Sequence, residues 1–290
     1  MTPEERLTRS EQRDAAREKA RQLRESNKRK EKARKLTLKL SLGAGLLAIV
    51  VGVAWVFIAG SSQENNGDNP LTGTPANMIF DNGIKIGAGL QPFTKTSTPT
   101  PTAQPTPGTV VPNIVMYIDY QCPVCGAFEQ ANSAQIRSWA ESGAATVEVH
   151  PISFLDGAST NKYSSRAANA ALCVANYAPE KFWDFSAALF TNQPAEQTAG
   201  PDNAALYQTA TSVGVPVKKS IENCINNNSF ASWMKDSTTQ ALTDTIPGTN
   251  AKLKGTPTVI VNGQIYAWNT GEELISAARF AQFVQQSAGN

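Results

Sequence analysis

The stretch Val115–Phe128, VMYIDYQCPVCGAF, constrains this 290-residue chain more than any other. An apolar, β-prone run ends at Tyr120-Gln121. Cys122 and Cys125 follow with two residues between them, at the head of a segment able to form a helix. Strand, Cys-x-x-Cys, helix is the sequence form of a dithiol redox centre. A helix start leaves N–H groups unpaired and carries the positive end of the helix dipole, and both favour a thiolate at Cys122. Pro123 suits the first turn, where its missing N–H is not needed. Two other uses fit a Cys-x-x-Cys, half of a zinc site and a structural disulfide. Zinc wants four ligands, usually as two close pairs. The other cysteines, Cys173 and Cys224, are far apart, and the one histidine, His150, ends a separate strand. Redox chemistry is the expected use, with no metal ligand and no metal or organic cofactor. A lone His at a strand end reads as a surface or satisfied residue rather than a catalyst.

Charge is unevenly placed. Residues 1–35 hold 13 Lys/Arg against 7 Asp/Glu, whereas residues 36–290 hold 13 against 17. The folded part therefore gives no argument for nucleic-acid binding. Residues 1–39 read as a basic cytoplasmic tail, and 40–60 as a transmembrane signal anchor. Leu40–Ala59 is a run of 20 residues without charge, long enough to cross a bilayer core of about 30 Å. Lys35 and Lys39 flank its N-terminal side, and no Lys or Arg follows until Lys85. The positive-inside rule then puts the C-terminal part outside the cytoplasm, as a single-pass protein of the cell membrane in contact with lipid through this helix. A cleaved signal peptide is the rival reading, but its apolar region is shorter, about 7–15 residues. Outside the cytoplasm disulfides persist, and four cysteines divide into one reactive and one structural pair.

Residues 61–109 read as a Pro/Thr/Gly-rich extracytoplasmic linker. Within it, 77–87 (NMIFDNGIKIG) carries an Asp-Asn-Gly hairpin signal, an edge element that could precede the main domain. Thr94–Thr109 is rich in Thr and Pro and reads as extended chain. The domain proper is expected over 110–290. Ile114–Tyr120 is a continuous apolar strand of the kind covered on both faces. Helix Pro123–Ala140 and strand Thr146–Ile152 follow. A block of helices covers about 161–242, with Asp202 a suitable N-cap. Cys173 and Cys224 lie in this block. A structural bridge between them is the preferred reading, against two buried thiols or a second redox pair. Strand Thr258–Val261, an Asn262-Gly263 turn, partner strand Gln264–Trp268 and helix Glu272–Gln286 close the chain. The order describes an α/β fold, a thioredoxin-like core with a helical insertion, preceded by one N-terminal transmembrane helix.

Cys122-Pro123-Val124-Cys125 after an apolar strand, with Gly255-Thr256-Pro257-Thr258-Val259 before the hairpin, resembles the DsbA family of thioredoxin-like oxidoreductases. The resemblance spans roughly 110–288, and the anchor and extra cysteine pair are similar to the membrane-tethered DsbA-like proteins of actinobacteria. It implies that Cys122 is the nucleophilic, mixed-disulfide cysteine and Cys125 its buried partner. It also implies a cis Pro257 beside the dithiol and Thr256 offering backbone groups to an extended substrate segment. Asp119, three residues before Cys122, is placed to move protons to or from Cys125, or to cap the turn. Strongly oxidising members carry His where this chain has Val124, and Val cannot stabilise the thiolate as an imidazolium does, so a less extreme potential is expected.

The implied activity is disulfide donation to reduced exported proteins by a monomer, with re-oxidation by a membrane partner resembling vitamin K epoxide reductase. The rivals are a reductase or isomerase of the same fold, and a non-catalytic module that binds peptides beside Pro257.

Overall fold

The computed structural model describes residues 73–99 and 110–288. The expected basic tail, the anchor at 40–60, and residues 61–72 and 100–109 of the linker lie outside the described residues. Among the described residues no helix is long and apolar enough to cross a membrane.

Five strands form one sheet: β1 (Ile84–Ile86), β2 (Asn113–Ile118), β3 (Thr146–Pro151), β4 (Thr258–Val261) and β5 (Gln264–Ile265), in the order β1-β3-β2-β4-β5. β2 is central, parallel to β3 and antiparallel to β4. Register sorts the side chains by face. Ile114 lies opposite Val147 and Val261, and Met116 opposite Val149 and Val259, and all six are buried in the main core. On the other face Tyr117 packs with Ile152, Ile246, Leu253 and Ile260 in a smaller core. A central strand covered on both faces is what the apolar run Ile114–Ile118 requires.

The segment expected to be linker enters this sheet. β1 pairs antiparallel with β3, placing Ile84 opposite Val149 and Ile86 opposite Val147. The Asp-Asn-Gly signal does make a tight turn, with Asp81 and Asn82 at φ 44° and 71° and both backbone bonds between Phe80 and Gly83 formed. The first arm, however, pairs no further. It docks instead on the helical insertion, where Asn77 Nδ2 donates to the Ala175 carbonyl at 2.8 Å and Met78 is buried. The sheet edge offers a longer partner than the turn's own first arm.

Helix α1 (Pro123–Ser142) follows β2, starting at Cys122 and ending at Gly143, whose φ of 78° suits a left-handed cap. The insertion comprises α2 (Tyr163–Tyr177), α3 (Phe182–Thr191), α4 (Asn203–Ser212), α5 (Lys219–Asn226) and α6 (Ala231–Thr243). Its axis is α2, which the other four all touch. Ala167, Ala168, Ala170, Ala171 and Ala175 are fully buried, and their small side chains admit neighbours on several sides. Asp202 caps α4 by accepting from Ala205 N at 2.8 Å. Cys173 of α2 and Cys224 of α5 are bonded, with their Cα atoms 5.8 Å apart.

After the Asn262-Gly263 turn, β5 is two residues long rather than the expected five. The single closing helix is two, α7 (Gly271–Leu274) and α8 (Ala277–Ala288). Ser276 makes the break, since its hydroxyl accepts from Arg279 N and starts α8 afresh.

Candidate active site

β2 stops at Ile118, and Asp119–Cys122 turn the chain into α1, with Cys122 N donating to Asp119 O at 3.0 Å. Cys122 is the N-cap residue. Its Sγ accepts from Cys125 N at 3.4 Å, so a helix-terminal N–H points at the sulfur. Both cysteines are free thiols, 4% and 1% exposed. Pro123 is exposed and Val124 half-buried.

The two thiols are driven apart in acidity. Cys122 is lowered, first by the thiol of Cys125, which donates to it, and further by the Thr256 side chain and the Cys125 N–H; burial and the charge of Asp119 oppose this. Cys125 is raised well above an ordinary thiol, first by burial and then by its neighbour Cys122. One sulfur is the ready thiolate and the other holds the proton, the division that dithiol exchange needs.

The loop before β4 completes the site. Thr256-Pro257 is a cis peptide. The Thr256 carbonyl lies 3.3 Å from Cys122 Sγ, which donates to it. β4 places it there: Thr258 sits opposite Tyr117, and so the preceding residues reach the head of α1.

Asp119 is fully buried. Its Oδ1 accepts from Gln121 N at 2.8 Å, and its Oδ2 from Leu155 N at 2.8 Å and Ser164 Oγ at 2.7 Å. Burial pushes the carboxyl up to about 6 despite these donors. It thus caps the turn that carries the dithiol and ties that turn to the start of α2.

The structure brings Cys122, Cys125, Thr256, Pro257 and Asp119 together. Cys173 and Cys224 are elsewhere, buried inside the insertion and bonded to each other. His150 is a satisfied residue: Nε2 lies 2.8 Å from Glu148 Oε1, and the ring stacks on Tyr117. Among the described residues no cluster of three or more His, Cys, Asp or Glu side chains is placed to hold a metal ion.

Sequence reading missed Gln193. From the loop after α3, its Nε2 donates to the carbonyls of Tyr120 at 3.0 Å and Cys122 at 2.9 Å. Gln121 reaches the opposite way, its Nε2 donating to Pro194 O at 3.4 Å. Gly126 provides the room, because a Cβ there would collide with Gln193 Oε1. That glycine was the available signal. A glycine inside a helix costs roughly 0.5–1 kcal/mol relative to alanine, so its presence right after the cysteines marks a close approach.

A family model described as thioredoxin matches residues 110–278. No curated protein sequence matches the chain. Among solved structures, oxidised DsbA of Mycobacterium tuberculosis is similar at 29% identity and a TM-score of 0.54, covering 72% of this chain and 93% of that one. The reduced disulfide bond oxidoreductase DsbG of the same organism is 34% identical, with a TM-score of 0.51 over 64% of this chain and 83% of that one. MdbA, a thiol-disulfide oxidoreductase from Corynebacterium diphtheriae, shares the fold at 16% identity and a TM-score of 0.51, covering 75% and 95%. The family match spans more than half of the chain and contains the dithiol, the insertion and the Thr256-Pro257 loop, so the chain belongs to the thioredoxin family.

Proposed function

We propose that this protein is an extracytoplasmic disulfide donor, held at the membrane by residues 40–60, that oxidises exported proteins. The observation that carries the reading is the asymmetric dithiol, with Cys122 lowered and Cys125 raised. A stabilised thiolate favours the reduced enzyme and so makes its disulfide the oxidant. The uncharged run Leu40–Ala59 supports the location.

The cycle starts from the Cys122–Cys125 disulfide. A substrate thiolate attacks Cys122 Sγ, a substrate–Cys122 bond forms, and the bond to Cys125 breaks. Cys125 leaves as a thiolate and takes up a proton, which its raised pKa favours. Asp119 supplies or shuttles that proton in this reading. A second substrate thiolate then attacks the substrate sulfur and releases Cys122 as the stabilised thiolate. The substrate has lost two electrons to the enzyme. The Thr256 carbonyl, 3.3 Å from Cys122 Sγ, is the backbone group an extended substrate segment meets. A membrane oxidase resembling vitamin K epoxide reductase removes the electrons.

The test is the thiol–disulfide equilibrium of the full chain in detergent with glutathione buffers, read by alkylation and mass mapping of all four cysteines. A Cys122–Cys125 potential near or above about −180 mV is the expected result. A value near the −270 mV or so of thioredoxin overturns the oxidising direction. Substrates that accumulate reduced thiols in cells carrying only Cys122→Ser support catalysis, and unchanged substrates support a binding module.

A further inference from the structure

We infer that Gln193 is the positioning residue through which the helical insertion sets the reactivity of Cys122. One side-chain amide bridges two carbonyls, Tyr120 O at 3.0 Å and Cys122 O at 2.9 Å, across the turn that delivers Cys122 to the head of α1. The Cys122 carbonyl is also the first acceptor of the helix, taking Gly126 N–H at 3.1 Å. Gln193 therefore fixes the residue whose sulfur meets Cys125 N and the Thr256 carbonyl.

The contact is built from both sides. Gly126 leaves space only a glycine leaves, and the occupant of that space is Gln193 Oε1. Next to Gln193, the Pro194 carbonyl accepts from Gln121 Nε2, so two glutamines cross-link the turn and the loop reciprocally. Gln121 is fully buried, and among the described residues its Oε1 has no partner. An orphaned buried oxygen is costly, and this one lies in the turn that carries Cys122. The sum is a rigid clamp with one end on the dithiol turn and the other on the insertion. The insertion acquires a role in the chemistry beyond its own packing.

The inference rests on Cys122–Cys125 being the exchanging pair. Its test reads the Cys122 sulfur directly and so does not depend on the direction of electron flow. Gln193→Met keeps the volume and removes both donors. The thiolate absorbance of reduced full-length protein, titrated with pH, should show the Cys122 transition raised by about half a unit or more, roughly a threefold fall in the thiolate-to-thiol ratio. Mixed-disulfide formation with a model peptide thiol should slow. Gly126→Ala attacks the same contact from the opposite side and should reproduce both changes, although alanine is the better helix former. Because the two substitutions break one contact, the double variant should be no worse than either single one. A wild-type Cys122 titration in Gln193→Met overturns the proposal. So does a wild-type titration in Gly126→Ala, including the case where Gln193→Met fails to fold, and so do strictly additive effects.

Discussion

Ser164 Oγ donates to Asp119 Oδ2 at 2.7 Å across 45 positions of sequence, joining the first turn of the insertion to the turn that carries the dithiol. The same oxygen accepts from Leu155 N, so three separate segments meet on one buried carboxylate. This relationship makes Asp119 a local charge that both holds the site and acts on it.

Asp119→Asn should therefore change two observables. The Asp119 charge raises Cys122, so its removal should move the Cys122 thiolate titration down. Stability against pH should change as well. The Asp119 carboxyl stands at about 6 against a usual value of 3.8, mainly through burial. An acid raised on folding adds stability below its unfolded value and loses it as pH rises through the folded one, here between about 4 and 6, by about 3 kcal/mol. Urea midpoints across this window should fall for the wild type and fall much less for the variant. Parallel curves would remove Asp119 from the account.

Cys125→Ala tests the asymmetry of the dithiol. Donation from the Cys125 thiol is the largest influence lowering Cys122. Without it the Cys122 thiolate titration should rise. Mixed disulfides with model thiols should accumulate, because no second sulfur remains to expel the substrate. A Cys122 titration unmoved in this variant would assign the lowering to the helix start instead.

The parts of this architecture that were legible in the sequence are those fixed by neighbouring residues. The strand running into Cys122, the Asn262-Gly263 turn and the Asp202 cap are short-range patterns, and each forms as expected. What was not legible depends on distant partners. Nothing within 77–87 says that Ile84–Ile86 will choose β3 over its own first arm, because that choice depends on an open edge at Val147–Val149. Gln193 has no local signature, and only Gly126, 67 positions earlier, betrays it. The two-helix ending was readable in principle, since Ser276 is a good N-cap, but the apolar pattern of 272–286 runs across it.

Removing the Cys173–Cys224 bond should cost stability and spare chemistry. The bridge joins positions 51 apart, and a loop of that length corresponds to about 4 kcal/mol in the chain-entropy account. Its sulfurs lie on residues 0% and 2% exposed, closed to attacking thiols in the native fold. The double Cys173→Ala, Cys224→Ala protein should unfold at a markedly lower denaturant concentration. Its Cys122–Cys125 equilibrium with glutathione should match the wild type. A shifted equilibrium would make the second pair an electron relay.

Glu129 supplies a separate pH effect. It lies four residues beyond Cys125 on α1, half-buried, and among the described residues no salt bridge reaches it. Burial pushes its carboxyl up to about 7 from 4.5. The sign follows that of Asp119 but the window is higher: stability is full below about 4.5 and is lost as pH rises through 7. The side chain is partly open to water, so solvent screens part of the effect. Glu129→Gln keeps the shape and abolishes the charge. Urea midpoints measured from about pH 4.5 to 7 should decline for the wild type and decline less for the variant, leaving the variant the more stable at about pH 8. The charge of Glu129 also helps to hold the Tyr120 hydroxyl up, so the tyrosine absorbance of the variant should titrate slightly earlier on the alkaline side. Equal decline of both midpoints between about pH 4.5 and 7 would mean that water reaches Glu129 in solution and that its carboxyl ionises as an ordinary surface acid.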